Sequence, residues 1–255
     1  SADLLYNDLE NAPFWFDQRC AAQAATAPDG RPIYDCGGGN PEAIVINSTD
    51  QGSGLLYAFS VTKDWETAYG AIDMFASVTL SDVEDIGYGT SSTATSNYSD
   101  FAAFDRQSPR SGVSNFETET AIKFRLNWSK DLFGGYETKV SLFATGRTGQ
   151  PYSYTFNENN ACVFDVGGGR CARESRNDDA GHLLYVPSGP SDPLFAPTSF
   201  GGDAADQQAF FDYIDSSELA QYAGGIAQRN GDTSRWSTLV DLRIKQELPG
   251  FFPDH

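Results

Sequence analysis

The stretch FETETAIKFRLNW, residues 116–128, alternates without a break. One parity carries Phe116, Thr118, Thr120, Ile122, Phe124, Leu126 and Trp128; the other carries Glu117, Glu119, Ala121, Lys123, Arg125 and Asn127. Successive side chains of a β-strand point to opposite faces, so this segment has an apolar stripe backed by a charged one. Residues 236–247 repeat the pattern, with Trp236, Thr238, Val240, Leu242 and Ile244 against Ser237, Asp241, Arg243, Lys245 and Glu247, and only Leu239 breaks it. Segment 71–81 sets Ile72, Met74, Val78 and Leu80 against Asp73, Ser77 and Thr79. Segment 137–147 sets Val140, Leu142 and Ala144 against Lys139, Ser141 and Arg147, and 54–62 follows more weakly.

Alternation alone fits a soluble antiparallel sandwich as well as a membrane β-barrel. Length and connections separate them. A strand crossing a membrane needs about 9–11 residues, against about 5–6 for an ordinary soluble strand. The segments here reach the longer figure. Their connections are also unequal: Lys63 to Ala68 and Ser129 to Gly135 are tight, whereas about 17–42, 86–115 and 157–235 are long. Short turns on one side and long loops on the other are the barrel arrangement. Aromatic residues cluster where strands would leave the apolar layer. Trp65, Tyr69, Trp128, Phe133 and Tyr136 flank the tight turns, and Phe116, Tyr152, Tyr154, Phe156 and Trp236 flank the long loops. The expected fold is all-β: an antiparallel up-and-down transmembrane barrel segment of six strands with long extracellular loops.

In that fold Ile122, Phe124, Val140, Leu142, Val240 and Leu242 face lipid. Asp73, Glu117, Glu119, Lys123, Arg125, Lys139, Arg147, Asp241, Arg243 and Lys245 face the lumen, where neighbouring strands are expected to set opposite charges against each other. One short helix is expected in the longest loop, over 203–223, with Asp203 as N-cap and Gly224-Gly225 as its stop.

The balance of 17 Lys+Arg against 35 Asp+Glu, a net charge of −18, excludes a nucleic-acid partner, whose phosphates require a basic surface. No apolar run is long enough for a membrane helix. Cys20 with Cys36, and Cys162 with Cys171, each bracket a loop-like stretch. They read as two local disulfides of an oxidising compartment, with zinc ligation the alternative. No C-x-x-C is present, and the histidines are only His182 and His255. His182 stands alone in GHLLY, so no catalytic set emerges and the chain is not read as an enzyme. No cofactor is expected; the carboxylates Asp82, Glu84 and Asp85 suit loop-bound Ca²⁺ or simple solvation, and they lack the order of a calcium loop. Phe14, Trp15, Phe16, Tyr88, Tyr98, Phe101 and Phe104 populate the loops as candidate ligand contacts, or as packing that holds the loops together.

Four stretches carry a resemblance: GLLYAFSVTKDWETAYGAIDMFASVTLSDVED at 54–85, GRTGQPYSYTFN at 146–157, LLYVPSGPSDPLF at 183–195, and AQRNGDTSRWSTLVDLRIKQELPGF at 227–251. In order and spacing they resemble the C-terminal part of TonB-dependent outer-membrane receptors of the Oar-like group. The resemblance implies a barrel of about 22 strands closed by a plug, in the outer membrane of a Gram-negative bacterium. It implies lipid and lipopolysaccharide around the wall, a TonB complex acting through an N-terminal region, and a bulky ligand captured outside. Residues 1–255 would then be part of one barrel domain, with plug and closing strands supplied by chain beyond them. A surface-exposed adhesive or structural β-protein without transport activity is the alternative.

Overall fold

Alternation becomes pairing in the computed structural model, which describes residues 1–20, 22–36, 43–87, 89–156, 163–165, 171–172, 181–196 and 203–249. The main strands are β1 (Ala2–Asp8), β2 (Ala12–Asp17), β3 (Ile44–Thr49), β4 (Ser53–Thr67), β5 (Gly70–Asp85), β6 (Thr120–Phe133), β7 (Tyr136–Arg147) and β8 (Ser237–Gln246). Six of them form one antiparallel sheet in the order β1-β4-β5-β6-β7-β8, and the short strand Gly112–Val113 adds to β5. Strands β2 and β3 pair with each other and continue the β1-β4 ladder as a two-stranded ribbon. Asn11 (φ 57°) and Gly52 (φ 114°) turn the chain where ladder passes into ribbon.

The register aligns the apolar parity of every strand. Leu142 stands opposite Leu126 and Leu242, Val140 opposite Trp128 and Ile244, and Phe124 opposite Ala76 and Ala144. Farther along, Val78 meets Ile122 and Phe59, and Tyr57 meets Leu80 and Leu4. Directly opposite residues of an antiparallel pair share a face, so one apolar surface runs across all six strands. On β5 it extends from Ile72 to Leu80, eight steps of about 3.3 Å or about 26 Å in all. Among the described residues no second sheet covers it, and within the six strands only Thr138 is buried. Leu4, Leu242 and Ile244 are each about two-thirds exposed, at 66%, 65% and 66%. The buried core lies in the connections instead, where Val186, Phe211, Ile214, Leu219 and Ala227 pack together.

Both tight turns sit at one end of the sheet. Gly134 (φ 63°) and Gly135 (φ 87°) form the whole two-residue loop between Phe133 and Tyr136, the positive-φ pair that matches the twist of a hairpin. Gly70, at φ 124°, closes the other turn, and a Cβ there would lie 2.5 Å from the Ser129 carbonyl oxygen. Tyr69 is 81% exposed in that turn, and the Trp128 indole donates to its carbonyl at 2.9 Å.

Several sequence expectations are corrected. The expected turn from Lys63 to Ala68 is strand as far as Thr67: Lys63, opposite Met74, interrupts the apolar parity, Trp65 opposite Ile72 resumes it with Asp64 and Glu66 on the other face, and only Ala68 and Tyr69 turn. The expected strand over 116–128 begins at Thr120, because the Glu117 amide turns back to the Ser114 carbonyl at 3.1 Å. Glu117 and Glu119 therefore precede the strand. Charges on the polar face do not pair directly across the ladder: Lys139 stands opposite Lys245, and Asp64 opposite Asp73. Relief comes from other directions, diagonally from Arg125 to Asp73 at 3.1 Å and along one strand from Lys139 to Glu137 at 2.6 Å.

The long connections are also more structured than their composition suggests. They hold α1 (Ala94–Ser99) and α2 (Ala204–Ser216) together with several two- to four-residue strand pairs. Helix α2 starts where expected, with the Asp203 carboxylate accepting from the Ala205 amide at 2.8 Å. It ends sooner, because Ser217 adopts extended backbone and its hydroxyl caps a new short 3-10 turn, Glu218–Tyr222. Serine side chains compete with the helical ladder in this way.

Candidate functional site

The three long connections meet at one end of the sheet and are held together by arginines. Arg31, fully buried, pairs with the equally buried Asp29 at 2.6 Å. Its Nη2 also donates to the Leu183 carbonyl at 2.8 Å, and its guanidinium lies over the Phe104 and Phe156 rings at 5.6 and 5.4 Å. Arg106 donates to the Tyr98 and Ser99 carbonyls at 2.9 and 2.8 Å and covers the Phe101 ring at 5.3 Å. Arg229 reaches the top of β5, where its Nη2 bonds Asp85 Oδ1 at 2.8 Å and the Gly112 carbonyl at 2.9 Å. Beside it Asn230 (φ 55°) donates from Nδ2 to the Val113 carbonyl at 2.7 Å and from its backbone to Ser153 Oγ at 2.8 Å. In an acidic protein Arg31 and Arg229 each bridge segments far apart in the chain, whereas the bonds of Arg106 close the second connection on itself.

Two cavities open inside this cap. One, of about 300 Å³, is bounded by Phe101, Phe104, Pro109, Leu183, Ile226 and Arg229 among others. The other, of about 330 Å³, is more polar and is bounded by Asn115, Tyr152, Ser153, Thr155, Arg229 and Asn230 among others. Of the aromatic candidates, Phe101 and Phe104 therefore wall a cavity. Phe14, Trp15 and Phe16 lie half-buried on β2, away from both cavities, with the Trp15 ring against Gly89. Tyr98 and Phe101 are buried, at 7% and 8% exposure, as in the packing alternative, with Arg106 bonded to the Tyr98 and Ser99 carbonyls and lying over the Phe101 ring. Tyr88 lies outside the described residues.

At the rim, Tyr152 and Tyr154 both donate to Asp232 Oδ2, at 2.6 and 2.5 Å, and Tyr213 stands 3.2 Å from the Tyr154 hydroxyl. Burial pushes the Asp232 carboxyl up, but the two phenols and the Thr233 amide outweigh it and leave the group below its ordinary value of 3.8. Burial and Asp232 raise Tyr154, and the bond to Asp232 raises Tyr152. A carboxylate held below its unfolded pKa stabilises the fold above that pKa and loses the contribution as pH falls through the folded one. The 150–155 segment is therefore expected to stay docked at neutral pH and to loosen progressively below pH 3.8. Hydrogen exchange across that range checks this; an Asp232→Asn variant with an unchanged acid profile would refute the assignment.

Cys20 and Cys36 form a disulfide. Cys162 and the side chain of Cys171 lie outside the described residues, although the backbones of 163–165 and 171–172 pair as a short hairpin. Two of the three calcium candidates are engaged, Asp85 by Arg229 and Glu84 by the Ser111 hydroxyl at 3.0 Å. Burial raises the nearby Glu117 carboxyl, as do the Asp82, Glu119 and Glu84 charges, against the bond from the Val83 amide. Among the described residues no group of three His, Cys, Asp or Glu is placed to hold a metal ion. Burial, with Arg31 and Arg106 nearby, pushes His182 down to about 3, which leaves it neutral and a weak base. Arg31 and Arg106 were not singled out from the sequence; Arg229 and Asp232 entered only within the resembling stretch 227–251, and Tyr152 and Tyr154 only as rings flanking a long loop.

Compared with protein-family profiles, with curated proteins and with solved structures, the chain matches none.

Proposed function

We propose that this chain is a section of wall from an outer-membrane β-barrel receptor of the TonB-dependent kind, with its long connections outside as the ligand-capturing surface. The observation that carries the reading is the single apolar face spanning six strands, with no layer of described residues against it. In water such a face would drive association, whereas in a bilayer it is solvated by acyl chains. Its extent on β5, about 26 Å, suits the apolar band of about 25 Å in outer-membrane barrels. Aromatic rings border the band at both ends, with Tyr69 and Phe133 beside the tight turns and Phe116, Tyr152 and Trp236 beside the connections. The outermost strands β1 and β8 have unpaired edges in this sheet, and lipid tolerates strands only when further strands close them into a barrel. Transport across that barrel, energised through TonB, follows from the resemblance of the four stretches and belongs to the proposal.

The test uses the full-length protein in vesicles, with single spin labels at Phe124, Leu142 and Leu242 and at their polar-face neighbours Arg125, Ser141 and Arg243. Labels on the first set are expected to collide with oxygen dissolved in lipid, and labels on the second with a water-soluble nickel reagent. Water at both sets would replace the barrel with a surface β-protein that binds a partner without transporting it.

A further inference from the structure

Arg229 is 6% exposed, yet its guanidinium is only partly used. Nη2 takes the Asp85 carbonyl and carboxylate and the Gly112 carbonyl, while Nε and Nη1 have no hydrogen-bond partner among the described residues. Buried donors of a charged group are costly to leave unmet, and native structures satisfy nearly all of them. An acceptor from outside the chain meets that demand, and there is space for one.

Arg229, Phe101 and Ala102 border both cavities of the cap. The first is chiefly apolar, walled by Phe101, Phe104, Pro109, Leu183 and Ile226. Its charged residues are Arg110 and Arg229 against Asp105, and the Asp105 carboxylate already accepts from Tyr34, Gln107 and Ser108. Asp85 already meets the charge of Arg229 and Asp100 borders the second cavity, so the demand for an anionic acceptor rests on the two unmet Arg229 N–H groups and on Arg110, beside a hydrocarbon surface. A carboxylate is the matching acceptor for guanidinium N–H groups, and an apolar body suits a concave site with few polar groups.

We propose that these cavities form a binding site for a small organic acid, whose carboxylate engages Arg229 and whose apolar body fills the space between Phe101, Phe104 and Ile226. The site lies within the connections and their junction with β5, so it stands or falls separately from the membrane reading.

Calorimetric titration of the full-length protein in detergent with 4-phenylbutyrate tests it, with 4-phenylbutanamide and inorganic phosphate as comparisons. The acid is expected to bind saturably, and both the amide, which lacks the charge, and phosphate, which lacks the body, to bind at least about tenfold more weakly. Arg229→Gln should weaken the acid by about tenfold or more. Because that substitution also removes the bonds to Asp85 and Gly112, Ala102→Leu provides a second test: it fills the shared wall without touching the ion pair, and should abolish binding. Saturable binding of the acid lost in Ala102→Leu supports the site even if Arg229→Gln fails to fold. No saturable binding of the acid, equal binding of the amide, equal binding of phosphate, or wild-type affinity in Ala102→Leu would each overturn it.

Discussion

Replacing Arg31 with Leu is expected to cost about 3–5 kcal/mol, the range found when one partner of a buried ion pair is removed. Neither side chain of the Arg31–Asp29 pair is exposed. Leucine would leave the Asp29 carboxylate without its counter-charge and the Leu183 carbonyl without the Arg31 donor. It would also remove the cation from the Phe104 and Phe156 rings, so the first and third connections would lose their common anchor. The double replacement Arg31→Leu with Asp29→Leu removes both charges and should recover much of the loss, since an apolar pair of similar volume is often as stable as a buried salt bridge. Hydrogen exchange of the amides at 27–34 and 183–186 reads this opening locally, without requiring reversible unfolding of the whole protein. If the single replacement left those amides as protected as in the parent, the pair would be an ornament of the cap and not its anchor.

What was legible in the sequence follows from how each feature is encoded. A strand writes its two faces into adjacent residues, so 116–128, 137–147 and 236–247 declare their parity locally, and the register of the sheet then aligns those parities. Strand ends are written in backbone hydrogen bonds, which polarity does not report. Glu117 and Glu119 keep the alternating pattern yet precede β6, and Lys63 to Thr67 resemble a turn by charge yet belong to β4. The connections were the least legible part, because their order comes from pairings that are remote in sequence: Arg31 with Leu183 across 152 residues, and Arg229 with Asp85 across 144. No spacing rule brings such residues together. The same remoteness explains why aromatics were the visible candidates while the arginines that fix two of them, Phe101 and Phe104, were not.

Replacing Leu242 with Arg is expected to cost about 2–4 kcal/mol if the apolar face meets lipid, the price of a cation near the bilayer midplane on a barrel wall. Leu242 lies in the middle of β8, opposite Leu142, and is 65% exposed. That exposure makes the experiment decisive. In water, arginine at a site so open changes stability by no more than about 0.5 kcal/mol, because its charge stays hydrated and no packing is lost. The same substitution at Ser141, a neighbouring β7 position on the polar face, serves as the matched control; it sets a second cation opposite Arg243 and is expected to cost no more than about 1 kcal/mol in either setting, the scale of a like-charge cross-strand pair. Folding equilibria of the full-length protein into vesicles give both values under one condition. A large penalty at Leu242 with little at Ser141 requires a nonpolar medium on one face of the sheet and an aqueous one on the other, which is the division between lipid and lumen. Equal, small penalties at the two positions would place water on both faces and remove the membrane from the reading.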